Sequence, residues 1–159
     1  MRRRDFLGVV SGAAVGLPHA AQAQQSSAAP VVGFLHGGSQ APYAQMVSAF
    51  RKGLSETGFD EGRNVVIEYR WADGNYDRLP GLADELVNRR VAVLYTSGGS
   101  VSALAAKDAA RGIPLVFVMG SDPVKAGLVS SLNRPGGNAT GVTLFTVELE
   151  AKRLELLRH

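Results

Sequence analysis

The sequence predicts an α/β protein built on a doubly wound parallel sheet, and two observations carry that prediction. Short apolar runs alternate along the chain with stretches patterned at helical spacing. Strand–helix alternation of this kind gives a parallel sheet covered by helices on both faces. The first run, Val31-Val32-Gly33-Phe34-Leu35, is apolar or glycine throughout, as a strand buried on both faces requires. The balance of 45% hydrophobic and 19% charged residues among 159 fits a globular domain and argues against disorder.

The elements follow in order. After the first strand, His36-Gly37-Gly38-Ser39 reads as a loop. A helix is expected from about Pro42 to Thr57, with Met46, Val47, Phe50 and Leu54 on one face and Gly58 as its stop. Asp60-Glu61-Gly62-Arg63 is a turn. Val65 to Trp71 is the second strand. Its alternation of Val65, Ile67 and Tyr69 with Val66, Glu68 and Arg70 leaves one face polar and places it near a sheet edge. Leu79, Leu82, Ala83, Leu86 and Val87 stripe a second helix over about Asp77 to Arg90, with Pro80 tolerated in its first turn. Val91 to Tyr95 is the third strand and Thr96-Ser97-Gly98-Gly99-Ser100 a tight loop. A third helix covers Ser100 to Arg111, and Leu115 to Met119 form the fourth strand. Ser121-Asp122-Pro123 is expected to open a short helix reaching about Ser131. A turn at Arg134–Asn138, a strand at Gly141–Leu144 and a helix at Glu148–Arg158 complete the pattern. Crossovers in such a sheet are right-handed.

The N-terminus has a different character. Arg2-Arg3-Arg4 is a positive head, Phe6 to Leu17 is apolar and small, and Ala21-Gln22-Ala23 is a small-x-small cleavage pattern. This is the layout of a secretory signal. Arg3-Arg4-Asp5-Phe6-Leu7 also resembles the twin-arginine export motif, and an ordinary export signal is the alternative. The reading gives residues 1–23 as an export signal cleaved near Ala23, 24–30 as a linker and 31–145 as an α/β lobe, delivered to the periplasm. The leader arginines account for most of the net charge of +3, so the remainder is near neutral and carries no basic stripe for nucleic acid. With no cysteine, disulfides, thiolate metal sites, a cysteine nucleophile and a lipid attachment point are all excluded.

In an open parallel sheet, ligands bind outside the carboxyl ends of the strands, where strand order switches. The candidate site therefore comprises His36, Gly37 and Gly38 after the first strand, Tyr43 beside the first helix, Thr96, Ser97, Gly98 and Ser100 after the third strand, and Asp122 after the fourth. Glycines let a ligand approach the backbone, and helix N-termini suit a carboxylate or phosphate. Each residue also has a structural reading. Ser100 can cap its helix, and Asp122 can cap the helix that Pro123 begins or offer its carboxylate to a ligand's amine. His36 is either a satisfied polar residue at the sheet rim or a donor to a ligand. Tyr43 is either half-buried packing or a stacking surface. Trp71 reads as packing. No GxSxG elbow, phosphate loop, GxGxxG fingerprint or metal-spaced cluster is present, so neither catalysis nor a cofactor is expected. Asn138-Ala139-Thr140 reads as part of a turn.

Several segments carry a family resemblance. Gly58-Phe59-Asp60-Glu61-Gly62-Arg63-Asn64-Val65, Ile67-Glu68-Tyr69-Arg70-Trp71-Ala72 and Tyr76-Asp77-Arg78-Leu79-Pro80 resemble ABC transporter substrate-binding proteins of the tryptophan/tyrosine-type group. So do Ser121-Asp122-Pro123-Val124 with Gly127-Leu128-Val129, and Arg134-Pro135-Gly136-Gly137-Asn138-Ala139-Thr140-Gly141-Val142-Thr143. The resemblance implies one Rossmann-like lobe of a type I periplasmic-binding fold, a small organic ligand such as an amino acid, an ABC permease as partner and a monomer when complete. It also implies that residues 146–159 begin the hinge helix toward a second lobe that this sequence lacks. Two alternatives stand beside it: an exported flavodoxin-like enzyme or cofactor carrier, and a non-functional truncated remnant.

Overall fold

A computed structural model describes residues 29–144 and, near the C-terminus, Glu155. Its five strands are β1 (Val31–His36), β2 (Val66–Trp71), β3 (Val93–Ser97), β4 (Leu115–Met119) and β5 (Ala139–Thr143). Three helices connect them: α1 (Ala44–Glu56), α2 (Leu79–Asn88) and α3 (Ser100–Ala109). Short 3-10 turns at Ala41–Tyr43 and Tyr76–Arg78 lead into α1 and α2. All pairings are parallel, in the order β2-β1-β3-β4-β5. The predicted doubly wound α/β lobe is the fold observed.

Two cores flank the sheet because β1 is apolar on both faces. Val32 and Phe34 point to the α1 side, where they pack with Val47, Val65 and Ile67. Leu35 points the other way, into a larger cluster with Leu79, Leu82 and Leu86 of α2, Ala103 and Ala106 of α3, and Leu94, Leu115 and Phe117 of the sheet. Burying a side chain such as Leu35 or Leu94 contributes about 1.5–3 kcal/mol.

The polar alternation of β2 does place it at an edge. Glu68 there accepts from Arg89 at 2.7 Å, and Arg70 donates to Glu85 at 2.8 Å. The Arg89 hydrogen bond, with help from Arg70, holds the Glu68 carboxyl below its ordinary range. Exposed pairs of this kind add little stability. Charges on an edge strand are a common way of blunting it against pairing with another chain.

Two strands begin two residues from their expected starts, and one expected helix does not form. β3 runs two residues later than Val91–Tyr95, because Thr96 and Ser97 keep their registers opposite Leu35 and His36. β5 begins at Ala139, two residues before the predicted start. The helix expected from Ser121 to Ser131 is instead a series of turns. Ala126 N–H donates to the Asp122 carbonyl and Leu128 N–H to that of Pro123, and the chain then leaves helical geometry at Gly127, whose φ is 72°. The export signal, the predicted helix at Glu148–Arg158 and the hinge segment from residue 146 lie outside the described residues, apart from Glu155, which is helical.

Candidate functional site

The strand order switches between β1 and β3: β1 continues outward to β2, and β3 to β4 and β5. This switch point is where a doubly wound sheet opens a crevice. The register fixes what stands there. His36 lies opposite Trp71 on one side and opposite Ser97 on the other. The carboxyl ends of three adjacent strands therefore present Trp71, His36 and Ser97 in one row.

His36 is 1% exposed. Its Nδ1 accepts from the Gly38 N–H at 2.8 Å, which fixes the neutral ring with its proton on Nε2. Nε2 itself is buried without a partner among the described residues. The ring packs on Tyr43, with centroids 4.1 Å apart, and on Trp71 at 5.0 Å. Burial holds its pKa below the ordinary 6.5. The following loop is tied to the one after β2: Ala72, Asp73 and Gly74 donate their N–H groups to the carbonyls of His36, Gly38 and Gly37.

The glycines of the site are required by close contact. A Cβ on Gly37 would come 2.8 Å from the Tyr76 ring and 2.9 Å from Ser102 Oγ. One on Gly38 would meet Tyr43 at 2.7 Å. Gly98 has φ 95°, and a Cβ there would sit 3.0 Å from the His36 ring. At Gly98 both space and backbone therefore demand glycine.

The remaining predicted residues divide. Thr96 is fully buried and Ser97 nearly so, as strand residues and not loop residues. Ser97 Oγ faces Met46 Sδ of α1 at 3.6 Å, while alternation sends Thr96 to the opposite side with Leu94. Ser100 does not cap α3. Gly99 holds the N-cap position without a side-chain hydrogen bond, and Ser100 Oγ instead lies 2.7 Å from Ser121 Oγ, tying the β3–α3 loop to the loop after β4. The first turn of α3 thus brings its N–H groups and positive dipole end to the crevice. Asp122 Oδ1 accepts from Val124 N–H at 2.8 Å and Lys125 N–H at 3.3 Å, the turn-capping role. Asp122→Ala is expected to lower stability by about 1 kcal/mol, read as a reduced urea midpoint.

Two site residues were not singled out by sequence. Trp71 was read as packing, yet it stands beside His36, with its ring at 25° to Tyr43 and 6.5 Å from it. Counting registers would have found it, since Trp71 closes its strand as His36 closes β1. Tyr76, 51% exposed and lying over Gly37, stands in the sequence only as the first residue of the family-like segment Tyr76–Pro80, with no pattern that marks it for a site. Tyr43, Trp71 and Tyr76 give the crevice rings that can stack on a planar group. The concavities beside Phe117 and Leu132, about 230 Å³, and along α1, about 400 Å³, are lined by none of the predicted site residues. Among the described residues no group of acidic or His side chains could hold a metal ion, and no helix is long and apolar enough to cross a membrane.

Comparison with known proteins gives consistent results. A family model described as ABC transporter substrate binding protein matches residues 31–159. A tyrosine-binding protein of Clostridioides difficile (strain R20291) is 34% identical over 109 residues, covering 69% of this chain and 31% of that protein. Thus the chain spans about a third of the length of the curated relative it matches. Among solved structures, a conserved domain protein from Vibrio cholerae superposes with TM-score 0.71 at 29% identity, covering 80% of this chain and 43% of that one. The ligand-free, open structure of a substrate-binding protein with adhesive properties from Clostridium difficile superposes with TM-score 0.66 at 27% identity, covering 72% and 38%. An ABC domain from Streptococcus pneumonia in complex with L-Trp shares the fold, with TM-score 0.65 at 24% identity and coverage of 72% and 38%.

Proposed function

This chain belongs to the family of ABC transporter substrate-binding proteins, and from that premise we propose that it is the exported, non-catalytic solute-capturing part of an importer, taking an amino acid with an aromatic side chain. The row Trp71–His36–Ser97, flanked by Tyr43 and Tyr76 and facing the N-terminus of α3, carries this reading. The rings offer stacking area to an aromatic side chain. The helix end and the Gly98 backbone suit the ligand's carboxylate. The identity to a tyrosine-binding protein supports the same ligand class.

Residues 1–23 act as an export signal of twin-arginine type, 24–30 as a linker, 31–145 as the ligand-bearing lobe and 146–159 as the path to a hinge. The protein works in the periplasm, delivers to a membrane permease and is a monomer. His36, Gly37, Gly38, Tyr43, Thr96, Ser97, Gly98, Ser100 and Asp122 form or support the ligand face. Thr96 acts from beneath and Asp122 through the loop it caps.

Calorimetry of the full chain with L-tyrosine, L-tryptophan and L-alanine tests the proposal. Heat is expected with the two aromatic amino acids and not with alanine. Tyr43→Ala should weaken the aromatic ligands by roughly tenfold, the loss of one stacking contact. Equal response to all three amino acids, or none to any, would sink the ligand class.

A further inference from the structure

We propose that His36 is a proton-operated latch on the loop after β1, holding the loop in place while Nδ1 accepts the Gly38 N–H and releasing it when Nδ1 takes up a proton. The proposal goes beyond ligand capture and does not depend on it.

The geometry allows one protonation state. Nδ1 is the acceptor of the Gly38 N–H at 2.8 Å. A proton there sets two N–H groups against each other, and a donor cannot take another donor's bond. The ring cannot turn its other nitrogen into that place without displacing its neighbours. It lies between Tyr43 and Trp71, and Gly98 closes over the Cε1–Nε2 edge. Proton uptake therefore requires the loop to move.

Among the described residues, nothing around the ring compensates a positive charge. Tyr43 faces it from the 3-10 turn before α1, Trp71 from β2 and the Gly98 backbone from the β3–α3 loop. The Tyr43 phenol is the titratable group among these. On the adjoining β2–α2 loop the Asp73 carboxylate is paired with Arg78 at 3.1 Å. Burial acts in the same direction, disfavouring the charged imidazole.

The closed loop holds the His36 pKa below 6.5, whereas an opened loop returns it toward that value. Above 6.5 both states are neutral and the closed loop keeps its full stability. As pH falls from there to the lowered pKa, the open state binds the proton and the closed one does not. Each pH unit across that window raises the open fraction about tenfold.

The test is the protection of the Gly38 amide against hydrogen exchange, followed by NMR on the full chain together with the His36 imidazole nitrogens. At neutral pH, Nδ1 is expected unprotonated and Nε2 protonated. Protection at Gly38 should fall about tenfold per pH unit as His36 titrates. His36→Asn provides the control: asparagine can accept an N–H two residues on but does not titrate. In that variant Gly38 protection should stay flat with pH. Unchanged Gly38 protection through the His36 titration of the unaltered chain would overturn the latch, as would a proton on Nδ1 at neutral pH. These readouts need no ligand, so they stand apart from the amino-acid binding test above.

Discussion

Gly141→Ala is expected to destabilise this lobe by about 3 kcal/mol or more, an unusually large effect for adding one methyl group. Gly141 pairs with Phe117 in the β4–β5 ladder. A Cβ at position 141 would stand 2.1 Å from the Phe117 carbonyl oxygen and 2.7 Å from two atoms of its ring. The obstacle is backbone, so no rotamer change relieves it, and β5 must move away from β4. Phe117 is itself a core residue, so the displacement reaches the α2–α3 side of the sheet. The same substitution at Gly53 supplies the contrast. Gly53 lies within α1, and a Cβ there would meet nothing within 4 Å. There alanine is expected to stabilise by about 0.5–1 kcal/mol, since it restricts the unfolded chain and favours helix. Urea denaturation of both variants measures the difference. Equal midpoints would show that β5 adapts to a side chain and that the close approach has no energetic weight.

Phe34→Ala is expected to cost about 3–5 kcal/mol. Phe34 is fully buried on β1 and forms the hub of an aromatic cluster. Its ring centroid lies 5.0 Å from Tyr95, 5.2 Å from Tyr69, 5.3 Å from Phe50 and 5.5 Å from Trp71. Removing the hub leaves a cavity that four rings cannot all collapse into. A domain of ordinary stability has about 5–15 kcal/mol in total, so the variant would lose much of its margin. The near-ultraviolet circular dichroism of the aromatic cluster should weaken along with the denaturation midpoint. Because Trp71 packs on both Phe34 and His36, the damage should also reach the crevice, as weaker binding of the aromatic amino acids proposed above. A cost under about 1 kcal/mol would mean that the cluster repacks around alanine, beyond the usual range for such a deletion.

How far the sequence revealed all this depends on which signal each residue carried. The two-faced burial of β1 was legible because Val31 to Leu35 contain no polar residue, and the edge position of β2 because Glu68 and Arg70 alternate with Ile67 and Tyr69. The end of β3 was not legible. Thr96 and Ser97 are small and polar, and local pattern assigns such residues to loops. What holds them in the strand is pairing with Leu35 and His36, a partnership made across distant parts of the chain. The same cause hid the role of Trp71, whose position beside His36 is a matter of register. At Asp122 the local signal was right in kind: the residue caps a turn, although the helix expected beyond it does not form. Ser100 went the other way, because its partner Ser121 is brought to it only by the neighbouring strand. The glycines of the site were visible as letters. The contacts that demand them, from Tyr76, Tyr43 and His36, were not.

The strand pairing also governs how the chain acquires its shape. Val31 pairs with Val66 and Val32 with Val93, so no strand of this sheet can find its neighbour through a short hairpin. Large loops must close before any ladder repays the lost entropy, and parallel sheets of this kind fold slowly for that reason. β1 precedes both of its neighbours in synthesis. The strand that finishes most deeply enclosed is therefore the one that remains longest without partners, and its apolar run is the segment most in need of protection while the chain is still being made.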